Sequence, residues 1–272
     1  MTTTTLPRTT SPSPRKAVDM STTFAPDVIP ANSIARRTGP SFPALTGLEI
    51  RKSLSTRSGK TVAALAVLIG PLGVLIATLG SAGGVVPAAM AIGIIGMLIA
   101  LVLLALGVLS TAGEWTHKSV QTTYLLVPQR NRVLAAKATA MGLLGLVLAA
   151  LGVGLAVGTL AVVTPGVVWF AATQAVIAVI AAGAAFAVIG AGIGAAIGNS
   201  AAAMTGTYLT FLGILPIIST VKPGFAAKVD PAASIQELAQ HGPSVTPIAV
   251  ITSWVIVSTV AGMVITRRRS VA

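Results

Sequence analysis

The sequence predicts an all-α membrane protein: six transmembrane helices behind an N-terminal amphipathic interfacial helix, with the N and C termini cytoplasmic. Composition is the first reason. Of the 272 residues 54% are hydrophobic and only 9% charged, with a mean hydropathy of +0.90. A water-soluble surface draws on roughly a quarter charged residues, so lipid is the expected solvent. The second reason is that the apolar residues fall in runs long enough to cross the ~30 Å hydrocarbon layer as helices. The third is that cations cluster beside those runs. The net charge of +12 therefore reads as membrane orientation, and nucleic acid is not expected as a partner. With no cysteine, disulfides, thiolate metal sites and thiol nucleophiles are excluded.

Residues 1–44 open MTTTTLPRTTSPSPRK and hold few large apolar side chains. Such a segment buries too little to offset its ordering entropy, so a disordered cytoplasmic tail is expected. No apolar core follows its first basic residues, which argues against a signal peptide. It reads as a passive tail, or as the result of a true start at Met20; a regulatory, phosphorylated tail is the other reading. Residues 45–272 form the membrane domain.

Residues 45–60 place Leu45, Leu48 and Leu54 among Glu49, Arg51, Lys52, Arg57 and Lys60. As a helix they would lie in the headgroup region with the basic side chains toward water. Gly59-Lys60-Thr61 resembles the end of a phosphate-binding loop, but that motif's first glycine would fall at Leu54 and no strand precedes it. No ATP site is expected in this chain, and Lys60 serves as a snorkelling anchor.

The spans are expected at 61–79 (kinked at Pro71), 88–112, 138–163, 167–197, 201–220 (containing Pro216) and 246–266. The fourth is longer than a crossing needs, so it is tilted, broken or projecting. Trp169 and Phe170 beside the Thr164-Pro165-Gly166 turn are interface anchors. An N-terminus inside puts all of the eighteen Lys and Arg residues except Lys222 and Lys228 on the cytoplasmic side, as the positive-inside rule requires. The outer loop holding those two lysines contains Asp230-Pro231 and, after AASIQELAQ, Gly242: a short helix with Asp230 as N-cap, Pro231 at its first position and glycine after its end. That helix would lie on the outer leaflet, cover a pathway, or serve as a plain connection.

The spans themselves are expected to carry no ionisable residue away from their ends, which disfavours an ion-coupled carrier. His117 and His241 fall on opposite sides of the membrane, so no catalytic constellation is available and the chain is not expected to be an enzyme. Gly190, Gly194 and Gly198 in the fourth span, and Gly154 and Gly158 in the third, gather small residues on one helix face. Packing within one subunit is favoured over a subunit interface. Hydroxyls at Thr205, Thr207, Tyr208, Thr210 and Ser219 in the fifth span, and at Thr252, Ser253, Ser258 and Thr259 in the sixth, are expected to bond back to helix carbonyls rather than line a wet path.

The most informative stretch is GEWTHKSVQTTYLLVPQRNRVLAAK, residues 113–137. It is a polar interruption between long apolar runs, with Glu114 followed by Lys118, Arg130, Arg132 and Lys137. Pro128 ends whatever helix precedes it. A basic loop between two spans belongs on the cytoplasmic side and is the expected docking place for a soluble partner. Within the loop, Glu114 can also pair with Lys118 one turn on.

Taken together, these features resemble the membrane-spanning permease subunit of type-2 ATP-binding cassette (ABC) transporters. Glu49, Lys52, Arg57 and Ser58 match the family's opening before the first span. Gly113, Glu114, Thr122, Thr123, Pro128, Arg130, Arg132, Val133, Leu134 and Lys137 match its best-marked stretch. The resemblance covers 45–272; the long tail departs from it. It implies a permease in the plasma (inner) membrane, usually an exporter, working as a pair of permease subunits, homo- or heterodimeric. A separate ABC ATPase subunit, carrying ATP and Mg, would seat on the 113–132 loop through Glu114, Trp115, His117, Lys118, Thr122, Thr123, Pro128, Arg130 and Arg132. The alternatives are an ATP-independent six-span membrane protein, such as an assembly or immunity factor, and a secondary carrier.

Overall fold

Among the described residues, six helices are long and apolar enough to cross a membrane. In the computed structural model, residues 40–80, 86–117 and 130–269 are described, and all belong to one compact unit. Helix α1 (Phe42–Ser55) precedes the first span, α2 (Arg57–Leu79). The other spans are α3 (Ala88–Thr116), α4 (Arg130–Val163), α5 (Ala172–Ile197), α6 (Ser200–Val221) and α8 (Val245–Arg268), with the short α7 (Pro231–His241) between the last two. The spans alternate in direction. One end of the bundle carries Arg57, Lys137 and Arg267–Arg269 and is called the basic end below.

Helices α3 and α5 form the centre. Of the most apolar 18-residue stretch of each, 72% and 50% are buried, against 17% to 33% for the other spans. Their axes come close because glycine removes the side chains between them. A Cβ on Gly190 would overlap the Leu104 carbonyl, one on Gly107 would overlap the Ala187 carbonyl, and one on Gly194 would meet the Val108 carbonyl at 2.7 Å. Such contacts gain dispersion energy where apolar burial alone gives no drive, since lipid is as apolar as leucine. Gly154 and Gly158 behave differently: they face outward, and a Cβ there would meet nothing within 4 Å. The intramolecular packing expected at all five glycines thus applies to Gly190 and Gly194, while Gly198 ends α5 in the left-handed conformation (φ +68°).

Several elements differ from expectation. The fourth span begins at Ala172, not 167, because Val167–Val168 pair in parallel with Val86–Pro87 as a two-stranded clip between loops; Trp169 and Phe170 follow it, 43% and 85% exposed. Helix α3 runs to Thr116 and α4 starts at Arg130, so the polar 113–137 stretch is helical at both ends. Within α6, the turn Leu209–Ile214 is widened to π-helical spacing. Pro216 follows at once; its missing N–H and its ring both oppose regular i→i−4 bonding in the turn before it. Phe211 in this turn packs edge-on to Phe186 of α5, centroids 5.8 Å apart, and against Trp254 of α8 at 5.2 Å.

Helix α7 is built as its residues dictate. Asp230 Oδ1 accepts from the Ala232 and Ala233 amides at 2.8 and 3.2 Å, Pro231 occupies the first turn, and Gly242 follows with φ +85°. It is no loose surface connection, because Ile235 and Ala239 are fully buried. It wedges among α3, α5 and α8 at the end opposite the basic one.

The expectation that the intramembrane hydroxyls bond back to their own helices holds for some and fails at Thr207 and Thr259, whose Oγ1 atoms are buried without a hydrogen-bond partner in the protein. Thr210, Ser219, Ser253 and Ser258 bond to carbonyls of their own helices, and Tyr208 donates to the Leu101 carbonyl at 2.9 Å.

Candidate functional site: a charged hub at the basic end

The site begins with a break in the chain. Thr56 leaves helical geometry (ψ 150°) and its Oγ1 accepts from the Gly59 amide at 3.0 Å, capping α2. Gly59 is required there: any Cβ would overlap the Ser53 carbonyl. The sharp turn folds α1 back on the bundle, where Leu45 packs with Val133 and Ala136 of α4. The face it buries is not a leucine stripe, for Leu48 is 57% exposed while Glu49 and Ser53 are buried. The basic side chains do face outward, with Arg51 exposed and Lys52 half-buried, but the acidic one does not. Glu49 points inward because its partner lies inside.

That partner is Lys137, two turns into α4 and 3% exposed. Its ammonium pairs with the Glu49 carboxylate, donates to Glu114 Oε1 at 2.7 Å and to the Ser110 carbonyl at 3.3 Å. A lysine has three N–H donors, and all three are matched. Lys52 Nζ approaches Glu114 Oε1 at 2.5 Å from the solvent side. Two carboxylates and two ammoniums thus form a neutral group across α1, α3 and α4, which makes burial of these charges tolerable. The expectation that charges stay at solvated span ends fails here: Glu114 and Lys137 lie within helices and are buried. A cavity of about 370 Å³ opens beside the group, lined by Lys52, Ser58, Glu114, His117 and Ser200 among others.

Each residue in the last turn of α3 holds a different element. Glu114 reaches α1 and α4. The Trp115 ring lies under the Arg269 guanidinium, 5.2 Å from its centroid. The Thr116 and Ser200 hydroxyls are 3.1 Å apart, and Thr116 Oγ1 also accepts from the Ser200 amide that starts α6. Arg269 in turn donates to the Ala196 and Ile197 carbonyls at 2.6 and 2.9 Å. It covers the exposed C-terminal carbonyls of α5, where positive charge is favoured. Arg267 donates to Asn131 Oδ1 at 2.7 Å. The polypeptide leaving α3 therefore departs from a point tied to α1, α4, α6 and the end of α8.

Of the residues singled out from sequence, Glu49, Lys52 and Glu114 converge here, with Trp115 beside them. Arg57 begins α2 and is exposed, as is His117 after α3. Arg132 donates to the Pro40 carbonyl at 3.0 Å on the surface. Arg130 opens α4, while Lys118, Thr122, Thr123 and Pro128 lie outside the described residues, as does a Glu114–Lys118 pair. Sequence reasoning placed Lys137 in the matching pattern without seeing its burial, and it read Arg269 only as an orienting charge. A lysine seven residues inside a helix that continues into an apolar run was the available signal for the first. For the second there was none. Among the described residues no three His, Asp or Glu side chains are grouped to hold a metal ion. Comparison with known proteins finds no matching family model and no matching curated sequence.

Proposed function

We propose that this chain is the membrane-spanning subunit of a type-2 ABC transporter, with no ATP site of its own and driven by a separate ATPase docked on the 113–132 loop. The observation that supports it best is the hub. The two stretches carrying the family resemblance, Glu49–Lys52 and Glu114–Lys137, meet in one ion-paired group where that loop leaves the bundle. A push on the loop would reach α1, α3, α4, α6 and α8 together. Coupling of this kind needs ATPase states that bind two positions of the loop with different affinity. The positive-inside rule supports reading the basic end as cytoplasmic, with both termini inside, and the family resemblance supports the plasma (inner) membrane. A second permease subunit completes the transporter, and export is its direction.

The test is a pulldown of the tagged, mildly solubilised protein from its native membrane, read by mass spectrometry. Arg130→Glu/Arg132→Glu is the comparison variant. Glu114 is unsuitable because its replacement leaves buried lysine charge unpaired. A P-loop ATPase recovered with wild type and lost with the variant supports the proposal. Its absence under conditions that keep other membrane complexes intact rejects it in favour of an ATP-independent role.

A further inference from the structure

We propose that a single buried water molecule sits among α3, α4, α5 and α8 beside Lys137, hydrogen-bonded to the hydroxyls of Thr111 and Thr259. The two threonines line a void of about 10 Å³, close to the ~10–15 Å³ that one water requires. Thr111 is 2% exposed, and neither Oγ1 has a hydrogen-bond partner within the protein. A buried hydroxyl left in that state costs free energy.

The orphaning has a shared local cause. A helical threonine ordinarily bonds its hydroxyl to the carbonyl four residues back. For Thr111 that carbonyl is Gly107 O, already taken by the Ser110 hydroxyl at 3.2 Å. For Thr259 it is Val255 O, taken by the Ser258 hydroxyl, also at 3.2 Å. Each carbonyl also accepts its regular helical amide bond, so both lone pairs are used. Two Ser-Thr pairs, on different helices, thus turn two unserved hydroxyls into one void. Lys137 also lines it, but its three donors are spent on Glu49, Glu114 and Ser110. The remaining lining is apolar or glycine. Helices α5 and α8 are in backbone contact there: a Cβ on Gly262 would meet the Gly192 carbonyl at 2.8 Å. Bound in this place, the water links α3, which ends in the hub, to α8, which carries the Arg269 latch. The inference does not depend on the transporter proposal.

Thermal unfolding of the purified full chain in detergent tests it through Thr111→Val, Thr259→Val, both together, and the Ser replacement at each site. Valine has the shape of threonine without its hydroxyl. With a water bound, each Val variant lowers the midpoint by roughly 2–4 °C, each Ser variant falls less than its Val counterpart, and the double Val variant falls little further than a single one. A dry void gives the opposite sign, because valine then removes an unpaired polar group, and a raised or unchanged midpoint overturns the proposal. So do additive losses in the double variant, or Ser variants that fall as far as Val.

Discussion

At the basic end, α1, α3, α4, α6 and α8 are tied by side chains bonded to side chains: Lys137 and Lys52 to Glu49 and Glu114, Thr116 to Ser200, Arg267 to Asn131. At the opposite end, α7 is held by apolar burial of Ile235 and Ala239. Its polar contacts there run mostly from side chain to backbone, with Asp230 capping α7, Trp254 Nε1 donating to the Val229 carbonyl at 2.9 Å and Gln174 donating to the last carbonyls of α7. Charge pairs have directional alternatives and can exchange partners, whereas a buried helix face has one good position. The two ends are therefore held by different forces, one by paired charge and the other by apolar burial.

Lys137→Met is expected to break the contrast most severely. It leaves the Glu49 and Glu114 carboxylates buried without their central cation, and losing one partner of a buried pair costs about 3–5 kcal/mol. The fraction surviving as a monodisperse peak after heating in detergent should collapse. Adding Glu49→Gln and Glu114→Gln should restore much of it, because the uncompensated charge is gone. Failure of that rescue would show that the cluster acts by packing rather than by charge. Gly190→Ala probes the rigid centre instead. Its Cβ overlaps the Leu104 carbonyl, and overpacking of this kind costs about 1–3 kcal/mol. The same assay should show a smaller loss that no charge substitution relieves. Asp230→Ala at the opposite end removes one cap and should cost about 1 kcal/mol, with faster amide exchange at Ala232 and Ala233 as its local signature.

The span count and the α7 helix were legible because each rests on a local rule: apolar length for the spans, and Asp-Pro before with Gly after for α7. The hub was half legible. Its members stood in recognisable stretches, but burial of Glu49 depends on the turn at Thr56–Gly59 aiming α1 inward, a tertiary fact that periodicity does not carry. The fourth span was drawn too long because Val167 and Val168 are as apolar as a span, and their pairing with Val86 and Pro87 joins loops far apart in the chain. Arg269 as the cap of α5 was invisible for the same reason.

The smallest effect is the most discriminating about the glycines. Gly154, Gly158, Gly190 and Gly194 look alike in sequence, yet a Cβ on Gly158 meets nothing within 4 Å while one on Gly190 overlaps backbone. In a single chain, Gly158→Ala should therefore be neutral or stabilise by up to about 1 kcal/mol through helix propensity alone. Heating the full-length variant alongside Gly190→Ala gives the comparison directly. A gain or no change at Gly158, set against a loss at Gly190, means that the α3–α5 contact holds this chain together and the outward glycine of α4 does not. A loss at Gly158 instead means that another surface closes on it in the intact protein, since exposed small residues on a span permit close helix approach. The outward face of α4 would then be part of the assembly rather than of the lipid boundary.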